Sequence, residues 1–140
     1  MTPYLEVRSA GMHYGLPLSA VLEVAEAAPL ARVPGTHPAV RGISLVGGRL
    51  LVHVHLGGLL QGASAPPPPG SPVVVVAGAG RPVAFEVDEV DWADAPEFWP
   101  LPETWQGPAA LGMARRGAGW IPLLDVPALI RRLEGTGGPD

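Results

Sequence analysis

The chain has 140 residues, a formal charge of −4 and 47% hydrophobic residues. That is enough for one domain with a sizeable core, and the mild acidity, with no basic stripe to neutralise phosphates, argues against nucleic acid. The complete lack of cysteine excludes disulfides, thiolate metal sites and thiol nucleophiles. No apolar run nears the ~20 residues of a membrane helix. The start, MTPYLEVRSAG, lacks a basic segment followed by an apolar one. A soluble, cytoplasmic chain with no direct membrane insertion is therefore expected.

Glycine (19) and proline (18) together exceed a quarter of the chain, which predicts many short strands and no long helix. Residues 4–8 (YLEVR) alternate and read as a strand, and 13–18 (HYGLPL) as a second. Residues 18–28 fit either one helical turn or a bent strand, with Val21, Leu22 and Val24 facing a core and Pro29 ending the element. ISLV and RLLVHVHL form a hairpin across Gly47-Gly48. Residues 61–72 hold four consecutive prolines, a stiff polyproline-II excursion on the surface. VVVVA (73–77) reads as a strand buried on both faces, and after the turn GAGR (78–81), residues 82–92 read as one further strand. The segment 92–108 carries three of the four tryptophans. Residues 110–124 predict a last hairpin, and DVPALIRRL a terminal helix capped by Asp125 with Pro127 in its first turn. The sum is an all-β, barrel-like plan with a short C-terminal helix.

Candidate chemistry is sparse. His53 and His55 share one strand face, as two metal ligands would, but no third ligand is evident. Asp88 and Glu89 are neighbours, so on a strand they point to opposite faces. No serine sits in a nucleophile elbow. No catalytic residue, metal or cofactor is predicted, and the chain is read as not an enzyme. Trp92, Trp99 and Trp105 are either interface anchors or the seal of a small barrel.

Four stretches, in order, carry a resemblance: YGLPLSAVLEV (14–24), VPGTHPAVRGISLVGGRLLVHVHL (33–56), VVVVAGAGRPVAFEVDEV (73–90) and the C-terminal ALG…GWIPLLDVPALI (110–130). Together they resemble the CheW-like family, adaptors of bacterial chemosensory arrays. The resemblance implies two small five-stranded barrels sharing one core, as a single domain over 1–134, with 135–140 a flexible tail. It implies an adaptor that binds the cytoplasmic domain of a methyl-accepting chemoreceptor and couples it to a CheA-type histidine kinase. The residues it implies for receptor binding are Val21, Glu23, Val24, Val46, Gly47, Gly48, Val87 and Val90.

The departures from the family pattern are Leu45, Gly47 and His55. Gly47 stands where the family has arginine, and His55 where it has aspartate, a loss that reads as one paired event. The second, mid-chain barrel is expected to be shortened around 92–108. Kinase coupling is therefore expected to be weakened, with Trp92, Trp99 and Trp105 on a kinase-facing or other interface. Self-association through exposed edges stays open. The alternative is a small-ligand or metal-binding barrel using His53 and His55.

Overall fold

Two glycine-bearing turns set the frame. In the computed structural model, which describes residues 2–26, 30–32, 37–77, 80, 82–95 and 98–136, β1 (Thr2–Ser9) and β2 (Met12–Pro17) turn through Ala10 and Gly11 at φ 51° and 79°. β4 (Val40–Val46) and β5 (Arg49–His55) turn through Gly47 and Gly48 at φ 57° and 80°. Two successive left-handed residues match the twist of a tight hairpin, which is why glycine is used. Pro29, most of the 78–81 turn and residues 137–140 lie outside the described residues.

The ambiguous stretch resolves into a 3-10 turn (Leu18–Ala20) and a strand, β3 (Val21–Glu26). Strand alternation separates its apolar residues: Val21 packs on the core, while Leu22 and Val24 face outward. The remaining strands are β6 (Pro72–Val76), β7 (Val83–Glu86), β8 (Glu89–Ala95), β9 (Phe98–Trp99), β10 (Ala110–Arg116) and β11 (Gly119–Leu124). One short helix, α1 (Leu56–Gln61), is unforeseen, because Gly57 and Gly58 hide it. Tertiary contact holds it: the Gly57 N–H donates to Ser9 Oγ at 2.9 Å, and a Cβ at Gly57 would lie 2.6 Å from that of Ala10.

The expected single strand over 82–92 is two strands in different sheets. The Val87 N–H donates to the Pro72 carbonyl, and the next amide, Asp88, donates to the Arg8 carbonyl. Consecutive amides thus bond to opposite sheets, and the chain crosses over at this step. The strand orders are β8-β1-β2-β11-β10-β9 and β3-β6-β7-β5-β4. The segment around 92–108 therefore extends the sheet built from the two chain ends, not the mid-chain barrel expected to be shortened. The fold class is as expected, but no ladder closes either sheet among the described residues. At the β3–β4 seam one bridge forms among the described residues, with Ala31 and Ile43 exchanging two 2.9 Å hydrogen bonds.

Three apolar clusters follow. Leu5, Val7, Tyr14 and Leu16 meet Val74, Val76, Phe85 and Val87 in the core that both sheets share. Tyr4, Ala114, Ile121 and Leu123 fill the inner face of the six-stranded sheet, and Val46, Leu51, Val73, Val75 and Ala84 that of the five-stranded one. The four valines 73–76 alternate between two cores, which explains their unbroken apolar run. α2 (Val126–Thr136) closes the shared core with Val126, Leu129 and Ile130. Asp125 Oδ1 accepts from the Ala128 N–H at 3.2 Å, the expected cap. The helix runs two residues past 134, so residues 135 and 136 are helical and not part of a tail.

Gly42 has the tightest approach to backbone. Its φ is 149°, and a Cβ there would lie 2.4 Å from the Ala31 carbonyl oxygen, across the seam bridge. Gly42→Ala is expected to cost about 2–4 kcal/mol through strain and a lost bridge. Urea denaturation measures it.

Candidate partner-binding surfaces

Glu23 and the β4–β5 turn come together where the five-stranded sheet curls. A Cβ on Gly47 would lie 2.9 Å from Glu23 Oε1, at a φ that strains any larger residue. A larger residue there would have to displace the Glu23 carboxylate and adopt a left-handed backbone. A guanidinium is nevertheless present: Arg49 Nη2 lies 3.6 Å from Glu23 Oε1. The charge has moved two residues along the hairpin. Leu45 and Leu50 are direct cross-strand partners, each 65% exposed. Leu22 and Val24, on either side of Glu23 in β3, are exposed as well.

The family-derived residues fall into two groups. Val21, Glu23, Val24, Val46, Gly47 and Gly48 gather around β3 and the hairpin turn. Val87 and Val90 flank the crossover between sheets. His55 pairs in register with Glu86, so Val87 lies level with Leu56, about 20 Å along β5 from the turn. Val46 and Val87 are buried and offer a partner no side-chain surface. Val90 is half-buried against the shared core. The same length of strand separates Gly47 from His55, so a lost Arg–Asp contact between those positions is not feasible.

Arg49→Ala is expected to cost less than ~1 kcal/mol, because the Glu23–Arg49 pair is half-exposed. A double-mutant cycle in thermal stability checks this. The pair then acts through surface pattern and not through stability.

Behind the hairpin runs a buried polar line that the sequence did not reveal. Arg41 Nε donates to Glu86 Oε1 at 2.9 Å, His53 Nδ1 faces Glu86 Oε2 at 3.5 Å, and His53 Nε2 meets the Ser44 hydroxyl. The order is that of a serine–histidine–acid triad, so a nucleophile–base pair does exist in space. It is sealed: Ser44, His53 and Glu86 are all buried. The line pairs Arg41 with Glu86 and Ser44 with His53 inside the sheet, while His53 Nδ1 faces Glu86 outside hydrogen-bond geometry. Burial alone would push Glu86 up, but the facing His53 ring and Arg41 guanidinium more than offset this and hold its carboxyl below the ordinary 4.5. Burial lowers His55 below the ordinary 6.5, only partly opposed by Glu86 and Asp88. Both ring nitrogens of His53 are already directed at protein groups, and no cluster of three or more metal-ligating side chains occurs among the described residues. The other sheet repeats the device: Glu6 is buried and held by Arg116 and by His13 at 3.0 Å.

The tryptophans divide. Trp105 folds onto its own loop, its Nε1–H donating to the Pro108 carbonyl at 2.9 Å, and it seals that loop. Trp92 and Trp99 stay exposed. Trp120, not singled out from sequence, meets Trp99 edge-on with centroids 5.9 Å apart, and Arg115 lies 5.8 Å from its ring. Phe98 packs where a Gly112 side chain would stand.

Against known families, the CheW-like domain matches residues 3–134. The chain belongs to the CheW-like family. Among solved structures it is similar to a scaffolding protein, TtCheW, from Thermoanaerobacter tengcongensis, with a TM-score of 0.77 and 20% identity over 91% of this chain and 86% of that one. At that identity the likeness speaks for the fold. The comparison with curated proteins finds no match. CheW-like proteins are scaffolds rather than enzymes. No helix among the described residues is long and apolar enough to cross a membrane.

Proposed function

We propose that this CheW-like chain is a non-enzymatic chemosensory adaptor that binds the cytoplasmic tip of a chemoreceptor and couples it to a CheA-type histidine kinase, with the receptor contact the stronger. One observation carries the reading. The hairpin where the family contacts receptor keeps an acid–guanidinium pair, Glu23 with Arg49, beside the exposed Leu45–Leu50 pair. A receptor tip is a helical hairpin, and an exposed apolar pair near a charged pair suits a helix laid across it. The exposed Trp92 and Trp99, on the sheet of the chain ends, are the surface offered to a kinase or another partner. Work with such partners places the protein in the cytoplasm, at chemoreceptor arrays.

The test is capture of the full chain by an immobilised receptor cytoplasmic fragment and, separately, by a kinase regulatory domain. Receptor capture with weaker or absent kinase capture is expected. Equal capture would make it an ordinary coupling protein, and no receptor capture would refute the reading.

A further inference from the structure

We infer that the cleft between α1 and the proline ridge Pro66–Pro69 binds a small organic monocarboxylate, held by Arg41 and His55. The inference goes beyond the adaptor reading and does not depend on it.

The cleft measures about 250 Å³, near the small end of ligand pockets, which run from ~300 Å³ upward. Arg41, His55 and Ser64 bring polar side chains to it, and Pro38, Ala63 and Pro66 bring apolar ones. The ridge above it is fixed in place. Ser71 binds the Pro68 carbonyl through its hydroxyl at 2.6 Å and its N–H at 3.1 Å. A site that is ordered before its ligand arrives loses little entropy on binding.

Two observations point to a ligand. His55 is only 4% exposed, yet its ring has no hydrogen-bond partner among the described residues. The ring of His53, two residues back, meets the Ser44 hydroxyl. A buried imidazole without a partner costs free energy that an incoming polar group recovers. Gly58 supplies the second observation. A Cβ there would lie 3.2 Å from His55 Nδ1 and 3.2 Å from the Ala63 carbonyl oxygen. Any side chain at 58 would crowd that nitrogen and narrow the cleft, and glycine leaves both open.

The donor set selects the ligand class. Arg41 reaches Glu86 through Nε, which leaves its two Nη groups for an acceptor in the cleft. Ser64 adds a hydroxyl, and no acidic side chain among the described residues lines this cleft. Glu86 and Asp88 line the neighbouring clefts instead. A guanidinium fork matches a carboxylate. Glu86 already offsets part of its charge, so a single negative charge suits the site better than the two of a phosphate. The proline and alanine walls suit an apolar tail.

Proton uptake accompanies binding. The groups that face the His55 ring are Glu86 from β7, Asp88 from the crossover and Arg41 from β4, and burial keeps the free ring neutral near pH 7. Arg8 and Glu89 line the next cleft with His55 and are paired with each other at 2.8 Å. A carboxylate beside the ring favours the imidazolium, so affinity rises as pH falls from 8 to 6.

Titration of the full chain with sodium benzoate at fixed ionic strength, followed through the His55 ring signals by NMR, tests the inference. Saturable binding is expected, at least about threefold tighter at pH 6 than at pH 8. Benzamide, a neutral analogue of the same shape, should bind at least about tenfold more weakly. Ala63→Leu puts bulk into the cleft from a half-buried position. It should weaken benzoate at least about tenfold with an unchanged urea midpoint. His55→Gln should bind weakly and equally at the two pH values. No saturable binding, equal affinity of the parent chain at both pH values, or an unchanged affinity in Ala63→Leu would overturn the inference. Benzamide bound as tightly as benzoate, or inorganic phosphate bound more tightly, would also overturn it. The comparison of benzoate, benzamide and phosphate uses the unaltered chain, so it decides the matter even if Ala63→Leu fails to fold.

Discussion

Glu86→Ala is expected to destabilise the fold by about 3 kcal/mol, near the low end for breaking a buried ion pair because Arg41 is partly exposed. In a domain of this size that lowers the melting temperature by about 10 °C. The substitution leaves the Arg41 guanidinium without its acceptor and His53 Nδ1 facing a void. Glu86→Gln should lose less, because the shape is kept. The same groups set the response to acid. Glu86 has a depressed pKa in the fold, so its contribution is present above its ordinary 4.5 and lost as pH falls through the folded value. His55 is also depressed, and the fold favours its neutral form, so stability begins to fall once pH drops below its ordinary 6.5. Urea midpoints between pH 8 and 3 should decline in two stages, and His55→Gln should remove the upper one. A flat profile from pH 7 to 4.5 would show that His55 is not coupled to folding, and a flat profile from there to pH 3 would show the same for Glu86.

Leu50→Glu is expected to weaken capture by a receptor cytoplasmic fragment at least thirtyfold, a loss of about 2 kcal/mol typical of an interface anchor. Its effect on stability should be within about 0.5 kcal/mol, since the side chain is 65% exposed. The contrast between the two readouts is what makes the test selective. Leu45→Glu should behave alike, as its cross-strand partner. Trp92→Ser, on the other sheet, should leave receptor capture unchanged. If Leu50→Glu binds receptor as the parent does, the hairpin exterior is not the receptor surface.

Some features were legible because local chemistry decides them. Gly47-Gly48 predicts a tight hairpin from backbone freedom alone. Asp125 with Pro127 predicts a helix start because cap and first-turn preferences act over three residues. The four valines predict a strand buried on both faces, and each turned out fully buried. The landmarks spaced along the chain were enough for the CheW-like family, which the match over 3–134 establishes.

Other features depend on pairings between distant residues, and no local pattern carries them. Residues 82–92 alternate like one strand, yet the chain changes sheets at Val87 and Asp88 because two consecutive amides find acceptors on different sheets. That step decided that the tryptophan segment extends the sheet of the chain ends. His53 and His55 share a face, as alternation demands. Only the parallel pairing of β5 with β7 places Glu86 near His53 and makes a buried line out of suspected ligands. Arg49 meets Glu23 only because the sheet curls and brings β3 to the β4–β5 turn. By itself, then, the sequence determined most of the strands, the tight hairpin turn, the helix cap and the family, since these rest on neighbours a few residues apart. Tertiary structure decided which charges meet and which apolar residues stay outside, since these depend on how strands far apart in the chain are registered and curled together.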